Sequence, residues 1–61
     1  MTLGQNIQTA RRAKGLSQEE LGAELEVSRQ TISKWECGKG LPEVSLMLPL
    51  CEALHITVND L

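Results

Sequence analysis

Apolar residues return along this chain at helical intervals. Leu3, Ile7 and Ala10 recur at i, i+4 and i+7, Leu21 and Leu25 stand one turn apart, and Ile32 and Trp35 share a face. No stretch alternates apolar and polar residues as a half-buried strand would, so the pattern predicts an all-α domain. Helix starts are marked by a hydroxyl residue with a carboxylate or amide three positions later, a pairing that satisfies free N–H groups as a capping box. Thr2 with Gln5, Ser17 with Glu20 and Thr57 with Asp60 fit it, and Ser28 supplies a further start through its hydroxyl alone. Gly15 and Gly38 read as helix stops, and GKGLPE, residues 38–43, as a loop. Five short helices are expected, near residues 3–14, 18–25, 29–36, 44–54 and 58–61. Pro49 conflicts with the fourth. It either kinks that helix or lies in about the first turn of one that starts later, near Ser45.

Composition narrows the picture. A chain of 61 residues makes one domain, and a domain of this size buries only about 60% of the surface its unfolded form exposes. Trp35 is the one aromatic among 41% hydrophobic residues, so Leu and Ile must fill the core. No apolar run approaches the roughly 18 residues of a membrane span, and no charged-then-apolar leader opens the sequence. A cytoplasmic protein without membrane contact is expected, although the last helix barely begins before Leu61, as in the N-terminal part of a longer chain. Cys37 and Cys51 are too few and too far apart for a metal cluster or disulfide framework and read as reduced structural cysteines. His55 has no partner at metal-ligand spacing and reads as an exposed or capping histidine. Neither metal nor cofactor is implied.

The net charge of -2 argues against a polyanionic partner, because such binding rests on Lys and Arg that displace counterions. Position changes that reading. All six basic residues, Arg11, Arg12, Lys14, Arg29, Lys34 and Lys39, precede Gly40, and from Leu41 onward the only charges are Glu43, Glu52 and Asp60. One surface can therefore be positive while the whole is acidic.

With side chains placed about 100° apart from Ser28, the third helix divides into two faces. Ile32, Trp35 and Glu36 fall together. Gln30, Ser33 and Lys34 fall opposite, flanked by Arg29 and Thr31. The outward row has the chemistry of a major-groove reader: Arg can grip guanine O6 and N7, Gln can pair with adenine N6 and N7, and a Thr methyl can touch a thymine methyl. A solvated polar face has the same composition. What favours the groove is the preceding segment, QEELGAELEVSRQTISKWE from Gln18 to Glu36, two short helices joined by a tight turn at residues 26–28 and pinned by Leu21, Leu25, Val27 and Ile32. That is a helix-turn-helix arrangement.

Nearly the whole chain, through KGLSQEELG, VSRQTISKWE, GKGLPE and ITVNDL, resembles the phage repressor and Cro family of helix-turn-helix domains, the xenobiotic-response-element type. The resemblance implies a lambda-repressor-like domain of five helices over residues 1–61, with its helix-turn-helix at 18–36 and recognition helix at 29–36. It also implies a homodimer bound to double-stranded DNA and a regulatory role, usually repression. Residue by residue, it implies that Gln18 bonds a phosphate and braces the recognition helix. Ser28, Arg29, Gln30, Thr31, Ser33 and Lys34 would lie at bases or adjacent phosphates, and Lys39 would hold a phosphate from the loop. Arg11 would pair with Glu36. Members of this family usually carry Ala where Gly22 stands, Gly where Glu26 stands and Asn where Cys37 stands, and Pro49 is atypical.

Other readings stand beside this one. A helix-turn-helix fold can serve as a protein interaction module or an antitoxin-like partner-binding domain, which would suit an acidic chain. An enzyme is not expected, since Cys37 and His55 form the one nucleophile and base pair available and nothing in their spacing brings them together. Arg12 and Lys14 either reach the DNA backbone or form a solvated face. Val58 and Leu61 either pack inward or contribute to a dimer seam.

Overall fold

Four α-helices and a 3-10 turn succeed one another in the computed structural model, which describes residues 2–60, the side chain of Val58 excepted. They are α1, Leu3–Ala13; α2, Gln18–Leu25; α3, Arg29–Glu36; α4, Val44–Leu54; and the turn Val58–Asp60. No strand occurs among the described residues. Thr2 and Ser17 close full capping boxes at α1 and α2, and the Ser28 hydroxyl accepts from the Thr31 N–H at 3.2 Å to start α3. The fifth element is a single 3-10 turn rather than an α-helix. Its Asp60 N–H reaches back only three residues, to the Thr57 carbonyl, and Asp60 Oδ2 accepts from the Thr57 N–H. Leu61, and with it the expected place of that helix in a seam, lies outside the described residues, as does the Val58 side chain.

Each helix lays one aliphatic face on a shared core of Ile7, Leu21, Leu25, Ile32, Trp35, Leu50 and Leu54. α3 lies at its centre, packed on both α1 and α2, while α4 closes the core from the side of α2. α1 approaches the end of α3 so closely that a Cβ on Gly4 would overlap the Trp35 carbonyl oxygen and stand 2.7 Å from that of Glu36. Only glycine fits there without displacing backbone.

Helix ends follow two schemes. Gly15 and Gly38 take positive φ just past α1 and α3, whereas α2 and α4 end on left-handed residues with side chains, Glu26 at φ 58 and His55 at φ 56. A side chain in that region costs on the order of 1–2 kcal/mol. α4 begins at Val44 and continues through Pro49 in its interior. Pro49 deprives the Ser45 carbonyl of its helical donor, but both residues are exposed, so that carbonyl is not left buried without a partner. Cys51 is buried, in line with a structural cysteine; Cys37, expected to be another, is exposed because α3 has turned out of the core by its C-cap.

Candidate nucleic-acid interface

The turn between α2 and α3 sets the angle of the latter. The Val27 N–H donates to the Gly22 carbonyl at 2.9 Å and the Glu26 N–H to that of Ala23 at 3.3 Å, which closes the left-handed cap. A Cβ on Gly22 would lie 2.7 Å from the Val27 carbonyl oxygen. The chain therefore turns hard against α2 and enters α3 with Ser28 as cap.

The inner side of α3 is fixed by packing and by an ion pair. Ile32 and Trp35 are buried. Glu36 accepts from Arg11 Nε at 2.7 Å and Nη2 at 3.1 Å, and from Gln18 Nε2 at 3.1 Å. Arg11 Nη1 donates to the Leu16 carbonyl at 2.8 Å. A single carboxylate thus joins α1, α2 and α3. No buried side-chain polar atom among the described residues lacks a partner.

The outer side offers Arg29, Gln30 and Lys34 to solvent, with Thr31 and Ser33 half-buried between them. Arg29, Gln30, Ser33, Lys34, Cys37 and Lys39 line one open concavity between α3 and the loop that follows it. Two of the polar residues are partly engaged internally: the Ser28 and Thr31 hydroxyls lie 3.0 Å apart, and the former already caps the helix. Gln18 opens α2, so one hydrogen of its amide and its own backbone N–H remain for a phosphate. Lys14 is engaged apart from this row: its Nζ bonds His55 Nδ1, just past α4, at 2.9 Å. Of the acidic residues on α2, Glu20 folds back onto the Ser17 N–H at 2.8 Å. No group of His, Cys, Asp and Glu suited to a metal occurs among the described residues, and no helix among them is long and apolar enough to cross a membrane.

Reasoning from sequence left Cys37 out of the polar row. The signal was present: Arg29, Ser33 and Cys37 stand at i, i+4 and i+8, one line along the helix and its cap.

Comparison with known proteins supports the same assignment of elements. The helix-turn-helix family profile matches residues 7–61. The HTH-type transcriptional activator BcrR of Enterococcus faecalis is 38% identical over 61 residues, covering 100% of this chain and 30% of that protein. The chain thus spans less than half the length of the curated relatives it first matches. Among solved structures, the P22 c2 repressor bound to a synthetic operator superposes with a TM-score of 0.92 at 29% identity, over 97% of this chain and 89% of the other. The restriction-modification controller protein C.AhdI from Aeromonas hydrophila gives 0.87 at 33% identity, over 95% and 88%.

Proposed function

The chain belongs to the helix-turn-helix family, and from that premise we propose that it is the sequence-specific DNA-binding domain of a transcriptional regulator, most simply a repressor that occupies its operator. The observation that carries this reading is the division of α3: an inner side locked by Ile32, Trp35 and the Arg11–Glu36 pair, and an outer side whose Arg29, Gln30 and Lys34 are free. A helix so held presents its polar row without first having to be ordered, which is what groove entry requires. The P22 c2 repressor, bound to an operator in its solved structure, supports the same docking.

Arg29 and Gln30, at the N-terminal end of α3, read base edges, with Thr31 and Ser33 beside them. Lys34 and Ser28 lie at bases or the adjoining phosphates, while Gln18 and Lys39 grip phosphate on either side. The entire span 1–61 serves as this domain, with residues 18–36 as the helix-turn-helix. Two copies bind a two-fold site, each recognition helix in one major groove and the grooves about 34 Å apart. The chain binds rather than catalyses, and it works in the cytoplasm, where the DNA is.

Selection from a randomised duplex library at low salt tests this. An enriched inverted repeat with half-sites about one helical turn apart is expected. Retention without enrichment, or no salt dependence, would overturn it in favour of a protein partner.

A further inference from the structure

Two hydroxyl groups hold each other at the start of α3. The Ser28 hydroxyl accepts from the Thr31 N–H at 3.2 Å, and its oxygen lies 3.0 Å from Thr31 Oγ1. Thr31 is β-branched, so this one contact fixes χ1 and with it both branches of Cβ: the oxygen turns back toward the cap, and the methyl takes the other position. The hydroxyl is committed to starting the helix. Thr31 nonetheless stands in the first turn, beside the exposed Arg29 and Gln30, where groove-entering helices make their base contacts. It does not line the concavity that gathers Arg29, Lys34 and Lys39, so it is not placed to hold a phosphate there.

Resting on the operator-binding reading, we propose that Thr31 reads a 5-methylpyrimidine through its methyl group alone, so that thymine and 5-methylcytosine are equivalent to it, and uracil and cytosine are not. In the major groove thymine presents the O4 acceptor and its C5 methyl, whereas cytosine presents an amino donor. A free hydroxyl, being donor and acceptor at once, would suit either base. With the oxygen held at Ser28, the feature of a pyrimidine that Thr31 can detect is the methyl on C5, which 5-methylcytosine carries at the same ring position as thymine. Contact between the two methyl groups removes from water apolar surface comparable to one CH₂, or about fourfold in affinity. Arg29 and Gln30, with their long polar side chains, select base pairs; Thr31 adds dependence on a single methyl group. The domain therefore senses cytosine methylation at one position of its site.

The test starts from a duplex recovered by selection. On both strands of one half-site, each thymine is replaced in turn by uracil and each cytosine by 5-methylcytosine, and competition binding gives the ratio of methylated to unmethylated base. At one position the methylated base should bind about fourfold tighter. There, thymine over uracil and 5-methylcytosine over cytosine should give the same ratio. Thr31→Ser keeps the hydroxyl for Ser28 but lacks the methyl, and should bring both ratios to unity. Thr31→Val keeps a methyl without the oxygen, and should preserve them; circular dichroism verifies the fold of each. A ratio that survives in Thr31→Ser would assign the effect to another side chain or to the shape of the DNA and overturn the proposal. So would a ratio lost in Thr31→Val, or a preference for thymine over uracil with none for 5-methylcytosine over cytosine. An enriched duplex indifferent to every C5 methyl would sink the methyl reading alone, whereas a chain that enriches no duplex would sink the operator reading and this one with it.

Discussion

Removing the charge on Glu36 should cost the domain a large part of its stability. In Glu36→Gln the side-chain shape survives, but the carboxylate that accepts from Arg11 Nε, Arg11 Nη2 and Gln18 Nε2 becomes an amide with one acceptor atom and an amino group facing donors. The Arg11 side chain, 10% exposed, stays charged with no countercharge. Breaking a buried pair in this way costs about 3–5 kcal/mol. A chain of 61 residues has about 3–9 kcal/mol in total, so the variant loses from about a third of its stability to all of it. Urea unfolding followed by the fluorescence of Trp35, buried in the native state, reads the loss directly. With a slope of about 1 kcal/mol per M, the midpoint should fall by about 3 M or more. Combining Arg11→Met with Glu36→Leu removes both charges and should be much less damaging than the two single changes together, since apolar replacement of a whole buried pair is often neutral. Single changes that each cost under about 1 kcal/mol, or a double change that costs their sum, would refute the reasoning and place the pair with weak surface bridges.

Other outcomes follow from particular contacts. Gln30→Ala should relax preference at one base position by about 1–3 kcal/mol, whereas Lys39→Ala should weaken all duplexes alike and shallow the salt slope; competition binding across sequences and salts separates them, and uniform loss in both would end the division into reader and phosphate holder. Gly4→Ala drives a methyl into the Trp35 and Glu36 carbonyls and should cost about 1–3 kcal/mol; an unchanged Tm would disprove the close approach. Glu26→Gly relieves a left-handed side chain and should raise stability by about 1 kcal/mol in the same urea assay, and a loss would show that Glu26 makes a compensating contact. Cys37 should react with a thiol reagent at once, and Cys51 only as the domain opens. Burial, and then the charge of Asp60, push the Cys51 thiol up from 9.0. Its contribution is therefore intact below that value and lost as pH rises through the folded one, so stability should decline above about pH 9. A Cys37→Ser chain flat across that range would contradict it.

Helices and their starts were legible because both are local: Ser17 and Glu20, or Thr2 and Gln5, meet within one turn whatever the rest of the chain does. The inward turn of Glu36 was legible for the same reason, since a wheel needs only spacing. Features that depend on two distant segments were not. Nothing around Gly4 in sequence reports that a carbonyl thirty-one residues away would fill its Cβ position. Pro49 could not be placed without knowing that Ser45 faces water. Leu41, Val44 and Leu48 look like core residues to any hydropathy argument, and only the closed core shows that they were left over. The outward row was legible as chemistry, but its concavity with Cys37 and Lys39 arises from the path of a loop.

Burial of Arg11 against Glu36 also bears on how such a regulator would search a chromosome. Of six basic side chains, Arg11 is engaged inside the fold and Lys14 on His55, leaving four to meet phosphates in a chain of net charge -2. Each phosphate neutralised contributes about 0.9 to the salt exponent, so a single copy should not exceed a slope of about 3.6. Encounters with random sequence are then brief, and little of the protein is titrated away by the vast excess of irrelevant DNA. Time saved on wrong sites would be time spent diffusing toward the right one, where base contacts would lengthen the stay.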